Sequence, residues 1–446
     1  MQTQLFDLLN IETDVVDRKI KATASGSLAG VVSPFLTHFI NVLNSLKVIH
    51  EHPDGTLQYN LYNPPQPTKA GMRALERKLK ELVVKHVLPG TANLAITHAC
   101  QCKCIHCSAD PFIDPTRQEV TTEKIKEVID GAMDLMCTLV ILVGGEPLLN
   151  PAIFELIDYV PKDKAMPMIF TNGALLEKYA ERLAAAGLAT LNISIDSDDP
   201  ATHNEWRKVP DLYRKAFDGA AAAREHGILT GISTYASHET LANGQVERLI
   251  NHAAEQGFHE ITIFDCMPSG KFLKKTDMVL SAAEKKEVVA LTRKYHNNPD
   301  FAPGVIAQAI VNSPMGAGCF GAYSQFYMTA YGDINPCDFN PISFGNVNET
   351  PLQAIWQKMV ATDGFDKKHM TCRMQTPSYR AKYIDPLPEG VLLPIPIEEY
   401  APGGKYHPDT PREPSAEETE AVSAAIDAPS LGCPPNCPSG GCAPGA

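Results

Sequence analysis

From Thr91 to about residue 270 the chain repeats one pattern, a short apolar run followed by a longer stretch with helical spacing. The runs are Asn93–Thr97, Leu139–Val143, Met166–Thr171, Thr190–Ile195, Leu229–Thr234 and Glu260–Phe264, six strand candidates. Between them, segments such as Leu176–Ala186 and Leu212–His226 have the period of helices. Strand–helix alternation builds parallel βαβ units, because parallel neighbours need a long crossover and a helix supplies it. Six units predict an α/β fold, a partial (β/α)6 TIM-like barrel. Barrels of this type work at the C-terminal ends of their strands.

The flanks read differently. Residues 1–88 are expected to form a mainly helical N-terminal region. In it, Lys69–Leu88 sets Met72, Leu75, Leu79, Leu82 and Val87 near one face and stops at Pro89-Gly90. Asn63–Pro67 is a proline-rich connector. Leu28–Ile49 is the most apolar stretch; Pro34, His38, Asn41 and Asn44 interrupt it, which favours a core helix over a membrane-surface one. The barrel is expected over 89–300 and a small Gly-, Asn- and Cys-rich domain over 301–385. Residues 386–446 hold thirteen prolines and the acidic stretch Glu413–Glu420, the composition of an extended tail.

A net charge of −13 argues against a nucleic-acid partner, which demands clustered Lys and Arg. No run approaches about 18 apolar residues, so no transmembrane segment is expected. Met1–Asn10 lacks the basic-then-apolar order of a signal peptide, and a cytoplasmic location follows as the expectation. Twelve cysteines in a long chain of that compartment point to metal or cluster ligands rather than disulfides.

Directly after the first strand candidate comes His98-Ala99-Cys100-Gln101-Cys102-Lys103-Cys104-Ile105-His106-Cys107. Cys100, Cys104 and Cys107 have the spacing C-x3-C-x2-C. Thiolates hold [4Fe–4S] clusters, usually four to a cluster, so three leave one iron open to something other than protein. With Cys102 the same loop has four thiols, enough for zinc, although zinc loops usually draw two ligands from each of two separated knuckles. Gly144-Gly145-Glu146-Pro147 ends the second strand candidate, Phe170-Thr171-Asn172-Gly173 the third and Asn192-Ile193-Ser194-Ile195-Asp196 the fourth.

In this order and placement the motifs resemble the radical S-adenosylmethionine (SAM) superfamily over roughly residues 93–270. The resemblance implies a [4Fe–4S] cluster on Cys100, Cys104 and Cys107, with Cys102 a spectator. The open iron would chelate SAM, whose reductive cleavage would yield a 5′-deoxyadenosyl radical that abstracts a substrate hydrogen. It also implies a set of SAM contacts: His106, Gly144, Gly145, Glu146, Pro147, Thr171, Asn172, Ser194, Asp196, Arg207, Gly231 and Met267. Arg207 suits the SAM carboxylate, since a guanidinium is a fork for carboxylates. Ferredoxin or flavodoxin is the implied electron donor.

Downstream, Cys319 and Gly332-Asp333-Ile334-Asn335-Pro336-Cys337 give C-x12-G-x4-C, and Cys372 follows. This resembles the twitch/SPASM auxiliary-cluster extensions and implies one auxiliary cluster on Cys319, Cys337 and Cys372. Cys266, His369, a tail cysteine or the substrate is left for its fourth iron. Cys433, Cys437 and Cys442 form a further C-x3-C-x4-C set, and Cys137 and Cys266 read as core. The implied activity is modification of a peptide or protein. A small-molecule or cofactor-biosynthesis reaction is the alternative, and a non-catalytic iron–sulfur or zinc protein the remote one.

Overall fold

A computed structural model describes residues 2–5, 9–314, 316–402 and 404–406. The barrel sheet contains β1 (Thr91–Ala95), β2 (Leu139–Val143), β3 (Met166–Thr171), β4 (Thr190–Ser194), β5 (Leu229–Ala236), β6 (Glu260–Asp265), β7 (Gly304–Ala307), β8 (Gln325–Met328) and β9 (Ile334–Asn335). Their order is β7-β6-β5-β4-β3-β2-β1-β8-β9. Every pairing is parallel except that of β8 with β9. Two parallel strands, β7 and β8, thus join the six expected ones, one at each edge. Each is only four residues long, too short for a periodic signal, yet each covers the backbone of an edge that would otherwise stay unpaired. The sheet therefore runs past residue 300 and draws strands from the stretch expected to be a separate domain.

Residues 1–88 are not mainly helical. Gln2–Leu5, Leu9–Val16 and Lys19–Ser25 form an antiparallel three-stranded sheet that precedes helices Ala29–Ser45 and Lys69–Val84. Leu9, Ile11 and Thr13 are buried at alternate positions, a period of two that marks a strand. Asp17 and Arg18, both with φ near +55°, make the tight turn of the hairpin. Helix Ala29–Ser45 buries Val32, Leu36 and Ile40 but exposes Val31, Phe35 and Val42, so only one face is core. No helix among the described residues is long and apolar enough to cross a membrane.

The proline-rich segment is not extended as far as residue 406. Leu387, Leu393, Ile395, Tyr400 and Tyr406 are buried. Ile395–Pro396 pairs with Ile342–Ser343, and the Leu393 N–H donates to the Pro111 carbonyl at 2.8 Å. Apolar residues at intervals among the prolines give this stretch something to bury. The acidic stretch and Cys433, Cys437 and Cys442 lie outside the described residues.

Side-chain alternation divides the barrel strands into two faces. Val140, Leu142, Ile169, Ile193, Ile232 and Ile263 pack outward in the main core. Leu139, Ile141, Met166, Met168 and Leu229 point into the barrel, where Leu61 and Tyr62 of the N-terminal region pack with them. The barrel floor is thus supplied from outside the strand–helix repeat. Leu61 donates its N–H to Glu260 at 3.2 Å and accepts the Thr190 hydroxyl at 3.1 Å. The Tyr62 hydroxyl accepts from the Asn192 amide at 2.8 Å and donates to Thr262 at 3.0 Å. A Cβ at Gly231 would stand 2.6 Å from Leu61 and 2.2 Å from Asn192, so a larger residue there would push both side chains aside.

Glu260 lies at the floor, and burial pushes its carboxyl up to about 8. The folded chain therefore holds this proton more tightly than the unfolded chain does. The stability it contributes is full below the ordinary value of 4.5 and is lost as pH rises towards about 8. Glu260→Gln should flatten that slope. Thermal midpoints taken between about pH 5 and about pH 8 should fall less in the variant; parallel curves would show that Glu260 is not the group responsible.

Candidate active site

The cysteine loop leaves β1 and is tied down at both ends. On one side Thr97 and Ala99 offer carbonyls to the N–H groups of Gly145 and Glu146, each at 2.8 Å. Glu119 accepts the Thr97 hydroxyl at 3.0 Å and the His98 N–H at 2.6 Å. On the other side the N–H groups of Lys103 and Ile105 donate to the carbonyls of Arg207 and Trp206, at 3.2 and 3.0 Å. Those carbonyls end helix Pro200–Arg207, where the helix itself has no N–H donors left to offer them. A Cβ on Gly144 or Gly145 would lie 2.1 Å from the Thr97 oxygen or 2.4 Å from the Ala99 oxygen. These glycines let the segment tuck against the cysteine loop itself.

Each sulfur of the triad meets donors. The Cys102 N–H points at Cys100 Sγ at 3.4 Å. The Cys102 thiol sits between Cys100 and Cys104 and lowers both, Cys104 to about 7. Burial pushes the Cys107 thiol up, while the N–H groups of Ala109 and Asp110 oppose the shift. N–H groups directed at sulfur suit thiolates that ligate a cluster, whose potential they help set. Among the described residues no three His, Cys, Asp or Glu side chains close around one metal-ion position. A cluster does not ask for that closure, because its ligands bind separate irons.

The rim gathers several of the expected SAM contacts. Asp196 and Arg207 form a buried two-point pair at 2.7 and 2.9 Å. Burial works against both charges, yet the Arg207 guanidinium outweighs it and holds the Asp196 carboxyl well below the usual carboxylate range. His106 Nε2 stands 3.6 Å from Asp196, and its ring packs on Tyr235, which stacks on Trp206. Burial lowers the His106 value, against the pull of Asp196. Ser194 is half-buried at the end of β4, facing the barrel interior.

Other expected contacts are engaged elsewhere. Glu146 is 1% exposed and accepts from Thr171 Oγ1 at 2.7 Å and from the N–H groups of Asn172 and Leu148 at 2.8 and 3.1 Å. It knots the ends of β2 and β3 together, and burial raises its carboxyl to about 7. Pro147 opens the turn Pro147–Leu149 and is buried there with Leu148. Gly231 makes room for the floor, and the Met267 sulfur lies 3.4 Å from Cys372 Sγ.

The interior positions of the strands change character towards their C-terminal ends. Below, they are buried; above Tyr62, Val143, Phe170, Ser194, Ser233, Tyr235 and Phe264 are all half-exposed. They line an open chamber beside the cysteine loop. Across it lie half-exposed Cys337, Asp338 and Phe339, with the Phe339 ring 6.2 Å from that of Phe264. Burial pushes Cys337 up, and Asp338, Cys319 and Cys372 add to it, so the three auxiliary thiols are neighbours. Burial raises Cys372 to about 12. Cys266 is near Tyr235 at the barrel mouth, whereas Cys137 is fully buried core. His369 turns Nδ1 to the Thr371 carbonyl at 2.7 Å.

Motif reading assigns no role to Tyr62 and Asn192 at the floor or to Tyr235 and Asp338 in the chamber. Alternation along β4 and β5 is the signal that picks out Asn192 and Tyr235. Tyr62 and Asp338 arrive through chain topology and carry no local signal.

Comparison with known proteins agrees with this geometry. Residues 94–253 match the model of the Radical SAM superfamily, and residues 319–376 match that of an iron-sulfur cluster-binding domain, SPASM. An AdoMet-dependent heme synthase of Nitratidesulfovibrio vulgaris is 28% identical over 59% of this chain and 77% of its own length. A GTP 3′,8-cyclase of Thermodesulfovibrio yellowstonii is 25% identical over 56% of this chain and 81% of its own. The crystal structure of Streptococcus suis SuiB bound to precursor peptide SuiA shares the fold at a TM-score of 0.54 and 16% identity, covering 80% of this chain and 88% of that one. A cysteine loop on the first strand of a parallel barrel, with auxiliary thiols facing it across a chamber, and both family matches falling on these parts, make this chain a member of the radical SAM superfamily, an enzyme with a SPASM-type auxiliary domain whose cofactors are [4Fe–4S] clusters and SAM.

Proposed function

We propose that this enzyme modifies a peptide or protein by abstracting a hydrogen from a group held between the cysteine loop and the auxiliary thiols. The observation behind this reading is the charge of the chamber. None of its half-exposed strand positions is Lys or Arg, and Arg207 is taken by Asp196. Asp338 also faces the chamber, a carboxylate that burial pushes up to about 6. A triphosphate or polycarboxylate needs cationic partners to leave water; an amino-acid side chain does not.

When bound, the cluster and SAM supply one-electron cleavage of a carbon–sulfur bond and hydrogen-atom abstraction. The chain's residues do the rest. Cys100, Cys104 and Cys107 are the proposed ligands of the SAM cluster, and Cys319, Cys337 and Cys372 those of the auxiliary one. Phe170, Phe264 and Phe339 keep water from the reacting group, and Tyr62 sets how deep it reaches. Ser194, His106 and the Asp196–Arg207 pair are proposed for the SAM side of the chamber. Ferredoxin or flavodoxin is the proposed electron donor.

The names of the relatives, a heme synthase and a GTP cyclase, favour a second reading, a small-molecule reaction. Anaerobic incubation of the reconstituted enzyme with reductant and SAM separates the two. Peptides encoded beside the gene, GTP and an iron porphyrin precursor are offered in parallel, with mass spectrometry of each. The expected result is 5′-deoxyadenosine matched by a mass change in a peptide. Turnover of GTP or the porphyrin, with every peptide unchanged, would overturn the first reading in favour of the second.

A further inference from the structure

The ends of β2 and β3 send one chain of hydrogen bonds into the cysteine loop. Glu146 accepts the Asn172 N–H at 2.8 Å and so fixes the backbone at that residue. Asn172 Oδ1 then accepts two donors, the Ala174 N–H and Gln101 Nε2, both at 3.0 Å. The Ala174 N–H belongs to the backbone and cannot reverse, so a flipped Asn172 amide would set its NH2 against that donor; this fixes the orientation. Asn172 Nδ2 therefore faces Cys100 and lies 3.9 Å from its sulfur. Asn172 is 5% exposed, whereas Cys100 is the exposed member of the triad.

We propose that Asn172 is a positioning residue for the cluster: its amide, oriented by Gln101 and anchored by Glu146, donates to the Cys100 sulfur and raises the cluster's reduction potential. The electron that reduces a cluster adds negative charge to its ligand sulfurs. A donor aimed at one of them stabilises the reduced state more than the oxidised one. The Cys102 N–H, 3.4 Å from the same sulfur, acts in the same sense. Glu146 and Asn172 thereby serve the electron-accepting step, a role separate from holding SAM. The inference rests on Cys100 being a cluster ligand.

The test is a redox titration of the reconstituted full chain, followed by electron paramagnetic resonance of the SAM cluster. SAM binding by equilibrium dialysis and iron content are measured on the same samples. Asn172→Leu removes the donor at similar volume, Asn172→Asp replaces it with an acceptor, and Gln101→Ala releases the amide. The midpoint should fall in all three, furthest in Asn172→Asp, with SAM affinity kept. In Asn172→Leu the ratio of reduced to oxidised cluster at fixed poise should drop about tenfold, equivalent to about 59 mV for one electron. An unchanged midpoint in a fully loaded Asn172→Leu chain overturns the proposal, and weaker SAM binding beside it assigns Asn172 to SAM instead. Should Asn172→Leu fail to load, Asn172→Asp decides, since its carboxylate can still accept from Ala174 and Gln101 while the donor to sulfur is gone. A Cys100→Ala chain that loads a full SAM cluster refutes the ligand assignment itself, a failure distinct from that of the donor.

Discussion

Cys104→Ala is expected to abolish 5′-deoxyadenosine formation, a loss of more than about 100-fold, since removing only an outer partner of a metal ligand costs up to that much. Cys104 is the middle sulfur of the loop. Lys271 holds its carbonyl at 3.1 Å, and the Cys102 thiol and Arg207 help to hold its charge. Among the described residues, Cys102 is the other thiol set between Cys100 and Cys104. That residue makes the experiment sharper: Cys102→Ala should leave SAM cleavage within a few-fold of the parent, and the double variant should match Cys104→Ala alone. Retained cleavage in Cys104→Ala that disappears in the double variant would make Cys102 the ligand instead.

The second large effect is expected at Arg207. Its guanidinium and the Asp196 carboxylate are both buried, and each is tolerable there only because of the other. Arg207→Met leaves Asp196 without its countercharge and should cost roughly 3–5 kcal/mol of stability. The same helix end carries the carbonyls that receive the loop N–H groups of Lys103 and Ile105, so iron per chain should fall with it. Asp196→Leu combined with Arg207→Met removes both charges and should regain much of the stability lost by Arg207→Met alone. Denaturant unfolding of the single and double variants measures this. A double variant no more stable than Arg207→Met would mean that the pair is held by its packing rather than by its charges.

The barrel and its triad were legible because each has a strong local signature. Six runs with helical stretches between them fix a parallel sheet, and C-x3-C-x2-C at the end of the first is a ligand pattern on its own. What stayed hidden depends on contacts between distant segments. β7 and β8 are four residues each and form because the sheet has edges to cover. The N-terminal sheet was masked by the longer helical pattern of Lys69–Val84 beside it. The motifs named Glu146, Thr171 and Asn172 but not that they bond to one another. Spacing cannot tell a carboxylate that meets a ligand from one that ties two strand ends, and here Glu146 accepts from Thr171 and Asn172.

Tyr62 lies within the first 88 residues, yet its ring forms the floor on which the chamber rests. Cutting the gene at Pro89-Gly90, where the repeat begins, would yield a bottomless barrel rather than a minimal enzyme. The interior of the barrel is discontinuous in sequence, and a swap of the strand–helix repeat between relatives would leave its floor behind. Drift in the few residues around Tyr62 offers a route to new selectivity that alters no strand, no cysteine and no contact to SAM.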